Sequence, residues 1–273
     1  MILYPNAKIN LGLHVIEKRA DGFHTIETVF CPVMWQDMLE VLPDATKASG
    51  VTFSSSGIPI PGNAQDNLCV KAYELISKDY PMPAVKVHLH KIIPIGAGLG
   101  GGSSDAAFFI KALNEIFELN LAWGELHHYA KQLGADCSFF ITNRTMLAEG
   151  KGDQLESINV SLKGFHVAIV YPGIHVSTAE AYAGITPAKP PVALENLIVE
   201  TPLESWKDVL INDFEKTIFE KYPAIKVLKE KMYAAGAMYA AMSGSGSAVY
   251  GIFEKEIDLQ NSFEGELIWQ GDL

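Results

Sequence analysis

The stretch Pro94-Ile95-Gly96-Ala97-Gly98-Leu99-Gly100-Gly101-Gly102-Ser103-Ser104-Asp105-Ala106-Ala107 decides how the rest of the chain is read. It follows an apolar run, Val85 to Ile93, that predicts a strand. It precedes Ala106 to Phe117, where Phe109, Ile110, Leu113, Ile116 and Phe117 share one face of a predicted helix. Five glycines in seven positions are costly to order. The return is a backbone that comes close to a ligand and turns its N–H groups inward. At a helix start those donors and the positive dipole end suit a phosphate. Ser103 and Ser104 add hydroxyl donors and are also good caps.

Three readings compete for the loop. A Walker A loop is excluded, because no Lys-Ser/Thr pair follows the last glycine. Gly96, Gly98 and Gly101 do spell G-x-G-x-x-G, the string of a dinucleotide site. Such a site wants a second buried strand soon after the helix, with an acidic residue at its end. Here the chain runs from Phe117 through Trp123-Gly124 into another helical pattern. A glycine-rich turn without a ligand is the plain structural alternative. A nucleoside triphosphate cradle is the reading favoured over both.

The chain has 273 residues, 48 % of them apolar, enough for a sizeable core in one large or two modest domains. A formal net charge of -11 argues against nucleic acid or an anionic membrane surface as main partner. It leaves room for a small anionic substrate, which local donors would hold. Cys31, Cys69 and Cys137 are odd in number, widely spaced and free of any C-x-x-C, so neither a disulfide framework nor a zinc site is indicated. No signal-like N-terminus and no membrane-length apolar run is present, which predicts a soluble, cytoplasmic protein.

Along the chain, Ala7 to Val15 alternates. Ala7, Ile9, Leu11, Leu13 and Val15 point one way; Lys8, Asn10, Gly12 and His14 point the other. Taken alone, the polar side reads as a solvated sheet face. Ile26 to Trp35, Met38 to Leu42 and the short Val51 to Phe53 also read as strands. Asn67 to Tyr80 predicts a helix capped by Asp66, and Trp123 to Leu133 a further one ending at Gly134. Short strands follow at Thr145 to Glu149, Gln154 to Ile158 and Phe165 to Tyr171, then a short helix at Ser177 to Ala183. Leu203 to Leu210, Phe214 to Tyr222 and Ala224 to Ala235 are helical patterns. Tyr239 to Met242 and Ala248 to Phe253 flank a second glycine-serine turn, Ser243-Gly244-Ser245-Gly246-Ser247. The tail after Phe253 is acidic and weakly patterned. The order predicts α+β layers, with a domain boundary in Gly150 to Lys163 that we set between residues 155 and 156. The two halves are then residues 1–155 and residues 156–273.

If the loop holds a triphosphate, phosphoryl transfer needs positioning, charge neutralisation and a group to take the acceptor's proton. Asp136, in the turn Gly134-Ala135-Asp136, is the candidate base; its plain alternative is a cap for Cys137 to Thr142. Lys8 is the candidate cation, which would favour an ionised carboxylate and offset charge on the acceptor oxygen. Asp105 in the first turns of the loop's helix either turns away as a dipole partner, the reading preferred here, or faces phosphate through Mg²⁺. His88 with His90, and His127 with His128, lack other ligands at metal spacing and read as structural or solvated.

Pro94-x3-Gly98-Leu99-Gly100-Gly101-Gly102-Ser103-Ser104-Asp105-Ala106-Ala107 resembles the phosphate loop of the GHMP small-molecule kinases. Ala7-Lys8-Ile9-Asn10-Leu11 and Arg19-Ala20-Asp21-Gly22-Phe23-His24-Thr25 look like the N-terminal signature of one branch, which acts on a cytidine-diphosphate-linked sugar alcohol of the non-mevalonate isoprenoid route. Gly134-Ala135-Asp136 is similar to the segment carrying the catalytic aspartate, and Met242-Ser243-Gly244-Ser245-Gly246 to the third motif of the superfamily. The resemblance implies a two-domain fold with a ribosomal-protein-S5-domain-2-like N-terminal half, residues 1–155, that binds ATP and carries catalysis, and a ferredoxin-like C-terminal half, residues 156–273, on the substrate side. It implies Lys8 and Asp136 as the catalytic pair, and ATP with Mg²⁺ as cofactors. Pro94, Gly96, Gly98, Gly100, Gly101, Gly102, Ser103 and Ser104 would cradle the phosphates, with Asn67 and Lys91 near the nucleotide. Asn10 and His24 would hold the cytidine substrate by hydrogen bonds, Phe23 and Tyr182 would sandwich its base, and Phe30 would line the pocket. Gly101→Val is then expected to block nucleotide binding by filling the phosphate space. The chain would act as a monomer or weak homodimer, without nucleic-acid or membrane partners. Phe23 departs from a frequent tyrosine and Ser138 from a frequent proline, and the tail lacks the pattern of the family's last helix. A kinase for another alcohol, such as homoserine or a mevalonate derivative, a nucleotide-binding regulator and a dinucleotide oxidoreductase are the alternatives.

Overall fold

The computed structural model describes residues 1–259, 262–263 and 265–273. They form two compact units that interleave along the chain. The first comprises Met1–Ala7, Gln36–Ile95 and Gly100–Asn143; the second comprises Lys8–Trp35, Gly96–Leu99 and Arg144–Leu273.

The first unit is a four-stranded sheet with helices. Its strand order is Ile2–Leu3, Met38–Pro43, Val85–Lys91, Val51–Gly57. The first three pair antiparallel; Val51–Gly57 runs parallel to Val85–Lys91. A parallel pair needs a crossover, and the helix Leu68–Ile76 lies in it. Val85, Val87, Leu89 and Ile93 are buried, as the alternation predicts. The helices Leu68–Ile76, Gly101–Ile116, Trp123–Leu133 and Cys137–Thr142 pack on one another. Phe109, Ile110 and Leu113 of the central helix are fully buried.

Three details differ from the sequence reading in this unit. Asn67, not Asp66, caps the first helix: its side-chain oxygen accepts from the Cys69 N–H at 2.9 Å. The strand at Val51 runs on to Gly57, because Ser54 and Ser56, which read as turn residues, bond the His88 and His90 rings across the sheet at 2.9 Å. The loop's helix begins at Gly101 rather than Ala106, so the last two glycines of the run form its first turn.

The second unit contains two four-stranded sheets. One has the order Asn6–Lys18, His24–Gln36, Met146–Glu149, Gln154–Ser157; the first two residues of its first strand and the last of its second fall in the other unit. The other has the order Tyr239–Met242, Val249–Phe253, His166–Tyr171, Leu267–Asp272 and is antiparallel throughout. The helix Pro223–Ala234 packs on the second sheet and on the helix Phe214–Lys221. Ile225, Leu228, Met232, Val249 and Phe214 belong to its buried core.

The polar side of the Asn6–Lys18 strand is not solvated, contrary to the sequence reading. Lys8, Asn10 and His14 are all buried, because side chains and backbone of this unit cover them. A helix at Leu194–Glu200, too short and too near Pro190-Pro191 to read from sequence, begins where the Leu194 N–H donates to Glu27 Oε1 at 2.9 Å. The weakly patterned tail ends as the strand Leu267–Asp272, with Trp269 stacked on Trp35 at 6.0 Å. No helix among the described residues is long and apolar enough to cross a membrane.

Candidate active site

The glycine run changes role halfway along. Gly96, Gly98 and Gly100 have φ of 67°, 79° and 71°, while Ala97 and Leu99 between them are buried. A Cβ on Gly98 would lie 1.9 Å from the Ser243 carbonyl oxygen, so two backbones touch there. Ser243 Oγ donates to the Gly98 carbonyl at 2.8 Å, the Ala248 N–H donates to the Ala97 carbonyl at 3.1 Å, and the Lys8 N–H donates to the Leu99 carbonyl at 2.9 Å. Gly96–Leu99 and the turn Ser243-Gly244-Ser245-Gly246-Ser247 are thus one structure in the second unit. Ser243 was not singled out beforehand; its signal was its place in Met242-Ser243-Gly244.

From Gly100 the run opens the helix of the first unit. The N–H groups of the first turn have no intrahelical acceptor. Gly102 has nothing within 4 Å of a built Cβ, whereas Gly101 would meet Lys91 Nζ at 2.9 Å and Ile93 at 3.0 Å. Gly101 therefore keeps space for protein packing, and Gly102 is the glycine that leaves the helix start open. The expectation that Gly101→Val fills phosphate space is corrected accordingly. Ser104 Oγ is buried with no hydrogen-bond partner among the described residues, and Ser103 is half-buried. Pro94 is buried at the loop's entry.

Behind this helix start lies an ion triad. Lys91 Nζ donates to Asp37 Oδ2 at 2.5 Å and to Asp105 Oδ2 at 2.7 Å, and all three residues are buried. Asp37 Oδ1 also accepts the Ile92 and Ile93 N–H groups at 2.6 and 2.8 Å. Burial disfavours the Lys91 ammonium, but the Asp105 and Asp37 charges outweigh it and hold its pKa above the ordinary lysine value. Burial raises Asp105 most, Lys91 pulls it down, and its pKa stands at about 7. Asp105 thus turns to Lys91. Asp37, a lone acid between two strands, gave no sequence signal beyond interrupting an apolar run. Asn67 is engaged in capping its own helix.

Lys8 lies on the strand Asn6–Lys18 with its Nζ 2.6 Å from Asn10 Oδ1, 2.9 Å from the Gly98 carbonyl and 5.0 Å from the centre of the Phe30 ring. Asn10 in turn donates to Thr28 Oγ1 at 3.0 Å, and Tyr250 donates its hydroxyl proton to the Asn10 carbonyl at 2.6 Å. The ammonium is aimed by bonds that leave it little freedom. Asp136 occupies the N-cap position of Cys137–Thr142, yet its side chain makes no cap hydrogen bond, so capping is not its use. It is half-buried. Ser138 keeps the turn closed by donating to the Ala135 carbonyl at 3.4 Å.

His24 and Tyr182 stack at 4.4 Å and 14°, with the edge of Tyr182 on Phe214 at 4.9 Å. Phe23 is 58 % exposed beside Lys151, whose ammonium sits 4.8 Å from its ring. Among the described residues no group of three or more His, Cys, Asp or Glu is arranged to hold a metal.

The family profile described as "GHMP kinases N terminal domain" matches residues 67–144, and the one described as "GHMP kinases C terminal" matches residues 198–263. The chain belongs to the GHMP kinase family. A 4-diphosphocytidyl-2-C-methyl-D-erythritol kinase of Cytophaga hutchinsonii is 54 % identical over 254 residues, covering 93 % of this chain and 92 % of the relative. The enzyme of that name from Bacteroides thetaiotaomicron is 50 % identical over 256 residues, covering 94 % and 93 %. A crystal structure of 4-(cytidine 5'-diphospho)-2C-methyl-D-erythritol kinase is similar with a TM-score of 0.77 and 32 % identity, over 92 % of this chain and 90 % of that one. The Methanococcus jannaschii mevalonate kinase, at 16 % identity and a TM-score of 0.73 over 99 % of this chain and 97 % of that chain, shares the GHMP kinase fold. The mixed α+β fold expected from the sequence is therefore the one found.

Proposed function

We propose that this GHMP kinase transfers the γ-phosphoryl group of ATP to the 2-hydroxyl of 4-diphosphocytidyl-2-C-methyl-D-erythritol. The observation that carries the reading is the near full-length similarity, at 54 % identity, to a kinase of that name. The local chemistry agrees with it. The open Gly102 and the unclaimed N–H groups of the first helical turn suit a phosphate. Ser103 and Ser104 supply hydroxyls beside them. Lys91 fits a supporting role: held by Asp37 and Asp105, it fixes the helix start from behind. Mg²⁺ would travel with the nucleotide, held chiefly by phosphate oxygens, and would neutralise charge on the transferred group.

In this reading Asp136 takes the proton from the acceptor hydroxyl, and Lys8 offsets the charge that develops on that oxygen. Phe23 and Tyr182 supply ring faces for the cytosine, and Asn10 and His24 polar atoms for its nucleoside. Phe30 lies under the Lys8 ammonium and shapes the floor. A base that stacks on Tyr182 takes the face opposite His24 or displaces the imidazole from it. The test is ADP release from MgATP with the diphosphocytidyl methylerythritol, homoserine or mevalonate as acceptor. Release with the cytidine compound alone is expected. Release with either aliphatic alcohol at equal efficiency would discard the aromatic clamp and the substrate with it.

A further inference from the structure

The second unit contains a cavity of about 740 Å³ that none of the roles above uses. Its volume lies in the range of small-molecule sites. Its walls are mostly apolar: Ile185, Pro190, Leu197, Val209 and Ile211 face it, together with His14. They are also fixed. The Ala188 N–H donates to the Val15 carbonyl at 3.0 Å, and the Leu194 N–H to Glu27 Oε1, which tie both ends of the proline-rich segment to the strands beneath.

The polar atoms on its wall are not balanced. The carboxylates are engaged: Asp213 accepts the Val15 N–H at 2.7 Å and faces His14 Nδ1 at 3.6 Å. Glu215 takes Lys229 at 2.6 Å and the Met242 N–H at 2.8 Å. The donors are not. His14 is 5 % exposed, and its Nε2 is buried without a hydrogen-bond partner among the described residues. Lys189 and Lys216 line the cavity, are exposed, and have no ion-pair partner among the described residues. A buried imidazole nitrogen left unpaired costs stability unless something bonds it.

We infer that this cavity binds a small apolar-bodied anion, such as a medium-chain carboxylate, whose body fills the apolar wall and whose head pairs with the two lysines. The lysines at the solvent side add attraction that salt weakens.

The test uses the full chain and two probes, 1-anilinonaphthalene-8-sulfonate and decanoate, with decanol as the neutral control. The fluorophore is expected to bind one equivalent, decanoate to displace it, and decanol to do so about tenfold less well. Leu197→Trp, which fills the cavity, is expected to abolish the fluorescence. Ile211→Trp fills it from an exposed position and stands in if the first variant fails to fold. Lys189→Gln with Lys216→Gln should weaken decanoate about tenfold and leave decanol unchanged. Unaltered fluorophore binding in a folded filled variant, no binding to the wild type, or equal displacement by decanol would each overturn the inference. ADP release by the filled variants at the wild-type rate keeps this site separate from the kinase reading.

Discussion

At the residue scale, glycines of one loop answer to different constraints. Gly98 meets the Ser243 backbone, Gly101 meets Lys91, and Gly102 meets nothing within 4 Å. Gly98→Ala combines a strained φ with a backbone clash, so it should lower stability by about 2–4 kcal/mol, read as a fall in the denaturant midpoint. Gly102→Val should leave stability within about 1 kcal/mol and weaken ATP binding at least tenfold in an equilibrium titration. Unchanged ATP affinity in that folded variant would remove the helix start from the phosphate site. The sequence marked the run as a phosphate loop, but not which glycine leaves room for ligand. That depends on residues far along the chain, Lys91 and Ser243, which local pattern does not bring together.

At the element scale, the Lys91 triad joins the end of the strand Val85–Lys91 to the helix Gly101–Ile116. It carries two carboxylates and one ammonium, so one negative charge is in excess until Asp105 takes a proton. The folded pKa of Asp105, about 7, lies above the ordinary aspartate value of 3.8, so between those values the folded state binds more protons than the unfolded one. Stability from this group is present below pH 4 and is lost as pH rises toward 7. Asp105→Asn removes the second carboxylate and leaves one ammonium facing one carboxylate. Chemical denaturation across pH 4–8 should then show a flatter profile, with the variant gaining on the wild type toward pH 8. An unchanged slope would take Asp105 out of the pH dependence. Lys91→Ala leaves two carboxylates buried together and should cost about 3–5 kcal/mol. The strand and helix around this triad were legible from alternation and from the 3.6-residue period. The triad was not, since Asp37 and Asp105 are 68 positions apart. The burial of Lys8, Asn10 and His14 was missed for a related reason: alternation identifies two faces of a strand but not what covers the second.

At the scale of the whole molecule, the α+β architecture and the order of its motifs are legible in the sequence, because most elements carry strong periodic patterns. The exceptions were elements whose sequence is weakly patterned, the helix Leu194–Glu200 and the strand Leu267–Asp272, which tertiary partners such as Glu27 and His166–Tyr171 stabilise. The aromatic residues proposed for the base were legible only through resemblance, since Phe23 and Tyr182 lie 159 positions apart. Phe23→Ala and Tyr182→Ala are each expected to raise KM for the cytidine substrate about tenfold while leaving KM for ATP unchanged, as steady-state kinetics with each substrate varied would show. A rise in both constants would point to a general disturbance of the fold instead. The central claim is that Asp136 takes the acceptor proton while the glycine loop holds ATP without it. Single-turnover phosphoryl transfer by Asp136→Asn, measured beside its ATP affinity, tests this most directly. A rate about a hundredfold or more below the wild type with ATP affinity within about twofold is the expected result; a wild-type rate in the variant would contradict the mechanism.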